Sequence, residues 1–186
     1  SLSVTISPTL SFTMDAASKA FSALTVGTPQ QATSTLFVLT NNSAGFYTSI
    51  NRASTTYTLF SGSQTIADTP NGNNWTAPAA TSTAGATAVW TTATTVGLGF
   101  RVMVSTDGVA STTCGAATTW WGSDDGGANA KWSGISTSTA AQKIADCNSY
   151  RGGGTGQTVI YKLDVNSSQA GGTYQSSPVT FTVLTN

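Results

Sequence analysis

The side chains that carry most acid–base catalysis are scarce in this chain. Its 186 residues include no His and no Glu, so catalysis would depend on seven Asp together with Lys and Tyr. A serine nucleophile needs a neighbouring base, and the sequence marks no residue as that base. Asp124 and Asp125 are adjacent, but successive side chains on an extended strand face opposite ways. The sequence therefore predicts no enzymatic activity and no cofactor.

Residues 124–129 hold the best candidate for a metal site. Asp124, Asp125 and Asn129 offer hard oxygen ligands on a glycine-rich backbone, which suits calcium. The spacing is not that of an EF-hand loop, because no Glu is present to close it. A hydrophilic loop tip has the same composition, and we favour that interpretation. The prediction is no metal, with Asp124 and Asp125 as the weak candidate ligands.

Three of the five tryptophans lie close together in the sequence, at Trp120, Trp121 and Trp132. On an exposed loop their rings could stack on sugar rings while neighbouring Asp and Asn bind hydroxyls. Trp is also enriched in subunit contacts, and these rings could equally form a small core under this region. We favour the second interpretation, which leaves polysaccharide as an alternative partner.

The charge content separates this chain from several classes of protein. Charged residues make up 8% of it, against about 25% in ordinary soluble domains. Seven Asp balance seven Lys and Arg without a basic run, which argues against nucleic acid and electrostatic membrane binding. No apolar stretch is long enough to cross a bilayer. The Ser-, Thr- and Asn-rich composition favours an extracellular or cell-surface location, after removal of a signal peptide not present in this chain.

The chain contains two cysteines, Cys114 and Cys147. Their pairing would close a loop of roughly 33 residues and contribute about 3–4 kcal/mol in the chain-entropy model. Two free thiols are the alternative. The exported type of composition favours a disulfide and an oxidising compartment.

Three N-glycan acceptor patterns begin at Asn41, Asn74 and Asn166. Some such patterns arise by chance in a chain this rich in Asn and Ser. They predict glycosylation only in a host that glycosylates its exported proteins.

The longest regular pattern covers the first fourteen residues. Every even position from Leu2 to Met14 is apolar or Pro and every odd position is Ser or Thr, which is the period of an extended strand. At about 3.3 Å per residue this stretch would span roughly 43 Å, as much as the width of the whole domain, about 40 Å. Pro8 has no N–H, so it must mark an edge, a bend or a junction between two strands.

Two interpretations account for that length. In the first, residues 1–14 form a split strand that is kinked at Pro8 and runs from one sheet of the subunit to the other. In the second, Leu2, Val4 and Ile6 fill a groove of a neighbouring subunit by strand addition. Pro8 then marks the point at which the chain passes from the neighbouring subunit to its own, and residues 10–14 continue into the subunit's own sheet.

Extended segments dominate the rest of the chain. Further period-two runs lie at 96–104, 159–165 and 179–183. Residues 36–39 form an apolar run typical of a central strand covered on both faces. Residues 108–156 lack this period-two alternation. They are interpreted as an insertion held by the disulfide, with a helical turn or two at 139–145. About eight to ten strands predict an all-β fold, a jelly-roll or Ig-like β-sandwich with one domain over residues 15–186.

Three features resemble exported bacterial and archaeal surface-fibre subunits of the TasA and camelysin type and archaeal bundling pili. They are the alternating N-terminal strand, residues 24–28 leading into residues 36–42, and the turn at residues 170–174 before a terminal strand. The resemblance implies a jelly-roll-like sandwich that polymerises through an N-terminal donor strand. The same pattern also fits other exported sandwich modules, such as cell-wall and spore-coat domains.

We therefore predict a structural subunit of an extracellular filament or pilus, with copies of itself as partner and no enzymatic role. Leu2, Val4, Ile6 and Pro8 would form the donor strand. Residues 96–104 and 179–183 are the candidate acceptor strands, because an acceptor needs an open edge above an apolar floor. Strand insertion is a heterologous contact, which propagates head to tail. The alternative is a secreted carbohydrate-binding or cell-surface module of the S-layer or cell-wall kind.

Overall fold

A computed structural model describes residues 3–68, 88–89, 96–104, 121, 131–136 and 141–186. Those residues are predominantly strand, which confirms the all-β expectation. No helix among them is long and apolar enough to cross a membrane. The strands in chain order are β1 (Leu10–Met14), β2 (Gln30–Thr40), β3 (Phe46–Arg52), β4 (Leu59–Ser61), β5 (Gln64–Ile66), β6 (Ala88–Val89), β7 (Gly97–Val104), β8 (Lys131–Trp132), β9 (Gln142–Cys147), β10 (Arg151–Asp164), β11 (Gln175–Ser176) and β12 (Val179–Thr185).

Two sheets contain the long strands. The first sheet has the order β1-β2-β10-β7 and the second has the order β12-β3-β9, with every neighbouring pair antiparallel. A smaller sheet, β11-β4-β5, and the pair β6-β8 complete the described strands. Chain neighbours rarely pair within the two larger sheets, so the fold depends on contacts between distant segments.

One buried cluster contains side chains from both larger sheets. Leu36, Phe100 and Val159 come from the first sheet, and Ile50 and Ile144 come from the second. All five are 0% exposed. Each long strand thus places one alternating set of apolar side chains in a shared core, as its period of two requires.

Strand β2 differs from its sequence-based prediction on one face. Leu36 and Val38 are fully buried, but Phe37 and Leu39 keep 44% and 37% of their surface exposed. The expectation that both faces of residues 36–39 are covered is therefore wrong. Successive side chains point to opposite sides of the sheet, and only the inner side packs against the second sheet.

Part of the region predicted as an insertion belongs to the sheets. Strand β9 and the start of β10 lie within residues 108–156, and they pair with β3 and β2. The helical turn predicted at 139–145 is wrong over its described part, because residues 142–145 are strand. Ile144 is fully buried, and pairing with β3 overrides the local preference of an Ala-containing segment for helix.

The turn between β2 and β3 depends on Gly45. Its φ is +83°, and a Cβ at this position would lie 1.8 Å from the backbone oxygen of Cys147. We expect Gly45→Ala to lower the free energy of unfolding by about 3 kcal/mol, because the backbone must move as well as tolerate a left-handed conformation. Denaturant titration measures the change.

Gly62 provides the matched control for that substitution. Its φ is +58°, but a Cβ added here would have no other atom within 4 Å. Gly62→Ala should therefore cost only about 1 kcal/mol, which is the effect of the left-handed conformation alone. Equal losses in the two variants would show that the close approach to Cys147 is unimportant.

Candidate functional site

The residues before β1 are extended into solvent. Residues 3–9 form no strand, and all of them are exposed. Val4 and Ile6 keep 84% and 76% of their surface exposed, the two highest values among the large hydrophobic side chains that the structure describes. An apolar pair left this open on a regular period is typical of a segment that binds elsewhere.

Hydrogen bonds hold the C-terminal part of this segment, residues 7–9, against its own subunit. The Thr40 hydroxyl donates to the Thr9 carbonyl oxygen at 2.7 Å, and Asn41 Nδ2 donates to the Ser7 carbonyl oxygen at 3.1 Å. The Thr9 amide also donates to Asn41 Oδ1. These bonds orient the chain as it leaves the sheet. Sequence reasoning missed this role of Thr40 and Asn41, although the Asn-rich turn after β2 was visible.

Strand β1 is an edge strand with an incompletely covered inner face. Its register places Leu10, Phe12 and Met14 opposite Thr40, Val38 and Leu36 of β2. Directly opposite residues of an antiparallel pair share a face, and the three β2 residues are fully buried. The β1 side chains therefore point to the core side, yet they keep 37%, 37% and 38% of their surface exposed.

Strand β12 forms the corresponding edge of the second sheet. Among the described strands it pairs with β3 alone. Val179, Phe181 and Val183 lie opposite Arg52, Ile50 and Thr48, which are buried. The three β12 side chains therefore face the core, but they are half-buried. They pack against the buried clusters.

These two edges lie next to each other. Residues of β1 and β12 are in contact across the two sheets. We call the half-covered surface of both strands the edge surface; its residues are Leu10, Phe12, Met14, Val179, Phe181 and Val183. None of the six carries a charge. An apolar floor beside two unpaired strand edges can accept an additional extended segment.

A pair of opposite charges lies just beyond the end of β1. Lys19 Nζ lies 2.7 Å from Asp15 Oδ2 on the exposed surface. The hydrogen bond from Lys19 lowers the pKa of the Asp15 carboxyl. This pair follows β1 in the chain and leaves the edge surface itself uncharged.

The other edges of the two sheets, formed by β7 and β9, have covered inner faces in the described part of the chain. Strand β7 is the other edge of the first sheet, and its inner residues Leu98, Phe100 and Val102 are at most 3% exposed. Ile144 on the facing β9 is 0% exposed. Of the two predicted acceptor strands, residues 96–104 therefore have no open apolar floor, whereas residues 179–183 have one.

The tryptophans do not form a sugar platform in the described part of the chain. Trp121 is 0% exposed, its ring lies 5.3 Å from that of Phe100, and its Nε1 donates to the Ile144 carbonyl oxygen. Trp132 is 2% exposed beside Ile160. Neither ring presents a face to solvent, which favours the core interpretation of these two residues over a sugar contact. Trp120 lies outside the described residues.

Several predicted site residues fall beyond the described ranges. They are Leu2, Cys114, Asn74, Asp124 and Asp125, so the disulfide, the weak metal site and one glycan pattern stay predictions. The other cysteine, Cys147, is fully buried beside Val38 and Phe46. Within the described ranges no group of three metal-ligating residues occurs.

The two remaining glycan acceptor positions differ in surroundings. Asn166 is exposed, and its Oδ1 accepts hydrogen bonds from the amide and hydroxyl of Ser168. Asn41 is half-buried and holds the N-terminal segment. A glycan on Asn41 would therefore crowd the point at which that segment leaves the sheet.

The structure thus combines an exposed apolar N-terminal segment with a half-covered apolar edge surface on the same subunit. A comparison of the chain with protein-family models, curated protein sequences and solved structures finds no significant match.

Proposed function

We propose that this chain is a structural subunit of an extracellular filament or pilus, which polymerises head to tail by adding its N-terminal strand to the next copy. The observation that carries the proposal is the exposure of Val4 and Ile6 on a segment with the alternation of a strand. The described part of the subunit does not cover these side chains. A second copy can cover them without any change in the fold.

Apolar burial and backbone pairing are the two contributions that would favour this strand addition. Burying Val4 and Ile6 would contribute about 3–6 kcal/mol, at roughly 1.5–3 kcal/mol for each side chain. Strand addition also supplies backbone hydrogen bonds that residues 3–6 do not make to the described part of their own subunit. Since donor and acceptor are different surfaces, each added copy offers a new donor, and the assembly grows as a filament.

The fold is consistent with this role. The two larger sheets share one buried cluster, which supports a β-sandwich of the jelly-roll or Ig-like kind. The resemblance to surface-fibre subunits implies the same architecture and an extracellular location. Buried Trp121 and Trp132 remove the main support for the carbohydrate-binding alternative.

Negative-stain electron microscopy of designed variants tests the proposal. The purified protein should form filaments, and Val4→Asp with Ile6→Asp should abolish them, because a buried unpaired carboxylate is strongly unfavourable. The matched control is Ser3→Asp with Thr5→Asp, which adds the same charge on the other face of the strand. Filaments should persist in the control.

The folded subunit should be unaffected in both variants, since the four altered side chains are exposed. Thermal unfolding of the monomeric fraction checks this point. Filaments formed equally well by Val4→Asp with Ile6→Asp would refute the proposal, as would a wild-type protein that stays monomeric at high concentration.

A further inference from the structure

We propose that the edge surface is the acceptor site, and that it takes the strand around Val4 and Ile6 of a second copy as an added strand antiparallel to β12. This inference rests on the proposed function and specifies its partner surface. It assigns a site and a direction to the contact between subunits.

The first argument is the number of strands in the two larger sheets. The first sheet has four strands and the second has three among the described residues, and β1 and β12 are in contact at their edges. A strand added beside β12 would make the second sheet four-stranded as well. It would then lie across from β1 and cover Leu10, Phe12 and Met14, whose inner faces are open. One inserted segment would thus pair with the free edge of β12 and also cover the inner face of β1.

The second argument is the matching period and polarity. Val4 and Ile6 alternate with Ser3, Thr5 and Ser7, just as Val179, Phe181 and Val183 alternate with Thr180 and Thr182. With the apolar side chains of the donor turned to the core, its hydroxyl side chains lie beside the threonines of β12 at the surface. Such Thr and Ser neighbours across strands are favourable pairs.

The third argument is the direction in which the N-terminal segment leaves its own subunit. Leu10 pairs with Thr40 at the start of β1, and Thr185 pairs with Phe46 at the end of β12. Asn42 Nδ2 donates to the carbonyl oxygen of Asn186 at 3.2 Å. The start of β1 and the end of β12 therefore lie at one end of the subunit, which we call the exit end.

A head-to-tail stack follows from that placement. The next copy lies beyond the exit end and presents its opposite end, where β1 finishes and β12 begins. The donor segment enters at that opposite end, so Ile6 lies close to it and Val4 lies deeper in the acceptor. From its N-terminus to its C-terminus the donor therefore runs from the acceptor's exit end to the opposite end, which is antiparallel to β12. In this arrangement Ile6 lies near Val179, and Val4 lies near Phe181.

Engineered disulfides test the site and the direction. Filaments of the full chain carrying Ile6→Cys and Val179→Cys should give a covalent ladder on non-reducing gels after mild oxidation, because the Cβ atoms would come within bonding distance. The matched control carries Ile6→Cys and Val183→Cys on the same strand, about 13 Å further along. It should stay monomeric on the gel. A second pair, Val4→Cys with Phe181→Cys, should also form the ladder.

The outcomes separate this inference from the proposed function. Filaments that are seen by microscopy but give no ladder with either Val179→Cys or Phe181→Cys would overturn the edge surface as acceptor and leave polymerisation standing. A ladder from the Val183→Cys control in place of the Val179→Cys pair would overturn the direction. Absence of wild-type filaments would overturn the proposed function itself.

Discussion

A chain that lacks residues 1–7 is expected to remain a folded monomer and to melt well below the full-length protein in its filament. Val4 and Ile6 are exposed in the single subunit, so their loss removes little from its own stability. In the filament the same side chains would contribute about 3–6 kcal/mol. For a domain of this size about 1 kcal/mol shifts the melting temperature by roughly 2–4 °C, so we expect a difference of about 6–24 °C.

Light scattering and calorimetry measure the two quantities on the same samples. The full-length Val4→Asp with Ile6→Asp protein is the control, because it keeps the chain length but should also be monomeric with the lower melting temperature. A truncated chain that unfolds or aggregates would show that residues 1–7 complete the core of their own subunit. That result would support the intramolecular interpretation of the first strand.

The second large effect is expected at the buried ion pair between Arg52 and Asp68. Arg52 Nη1 lies 3.1 Å from Asp68 Oδ2, and both side chains are 0% exposed. Asp68 also accepts hydrogen bonds from the amide and hydroxyl of Thr58 at 2.8 and 2.6 Å. Because Asp68 bridges to Leu98 on β7, the pair connects the end of β3 to the first sheet.

Asp68→Ala should lower the free energy of unfolding by about 3–5 kcal/mol, because it leaves the guanidinium of Arg52 buried without a counter-charge. The double variant Arg52→Met with Asp68→Leu should recover most of the loss, since an apolar pair replaces a buried ion pair at little cost. Urea titration of all three chains measures the effect. A double variant as unstable as Asp68→Ala would contradict the explanation.

The pH dependence of Arg52→Met gives an independent check. Burial raises the pKa of the Asp68 carboxyl above its ordinary value of 3.8. The hydrogen bonds from Thr58 and the charge of Arg52 act to lower this pKa, but their effect is smaller than that of burial. The contribution of this group to stability is therefore fully present below pH 3.8 and is lost as the pH rises through the raised pKa. Removing Arg52 moves that window upward. The destabilisation by Arg52→Met should grow from acidic toward neutral pH.

Local patterns predicted much of the fold. The alternation in residues 10–14, 96–104 and 179–183 appears as β1, β7 and β12. It was sufficient because a period of two reports which side chains share a face, whatever the partner strand. Pairing partners were not predictable, because β2 lies between β1 and β10, which are far apart in the sequence.

The candidate site could be predicted only in part. The alternation predicts Val4 and Ile6 as candidate donor residues, but it does not show that the floor formed by Leu10, Phe12 and Met14 is left open. Whether an inner face is covered depends on how many strands the opposing sheet contains. The tryptophans illustrate the same limit, because no local pattern shows that Trp121 packs in the core against Phe100.

Residue types and their spacing were enough to predict an all-β chain, a scarcity of acid–base side chains and the alternation of the first residues as a strand. These properties depend on residue type and short-range spacing. Only the folded chain shows that β1 and β12 are neighbouring edges of the two sheets with half-covered inner faces, and that Val4 and Ile6 stay exposed. Those features arise from pairing between segments that are not neighbours in the chain, such as β12 with β3, which are more than a hundred residues apart. No local pattern encodes such pairing.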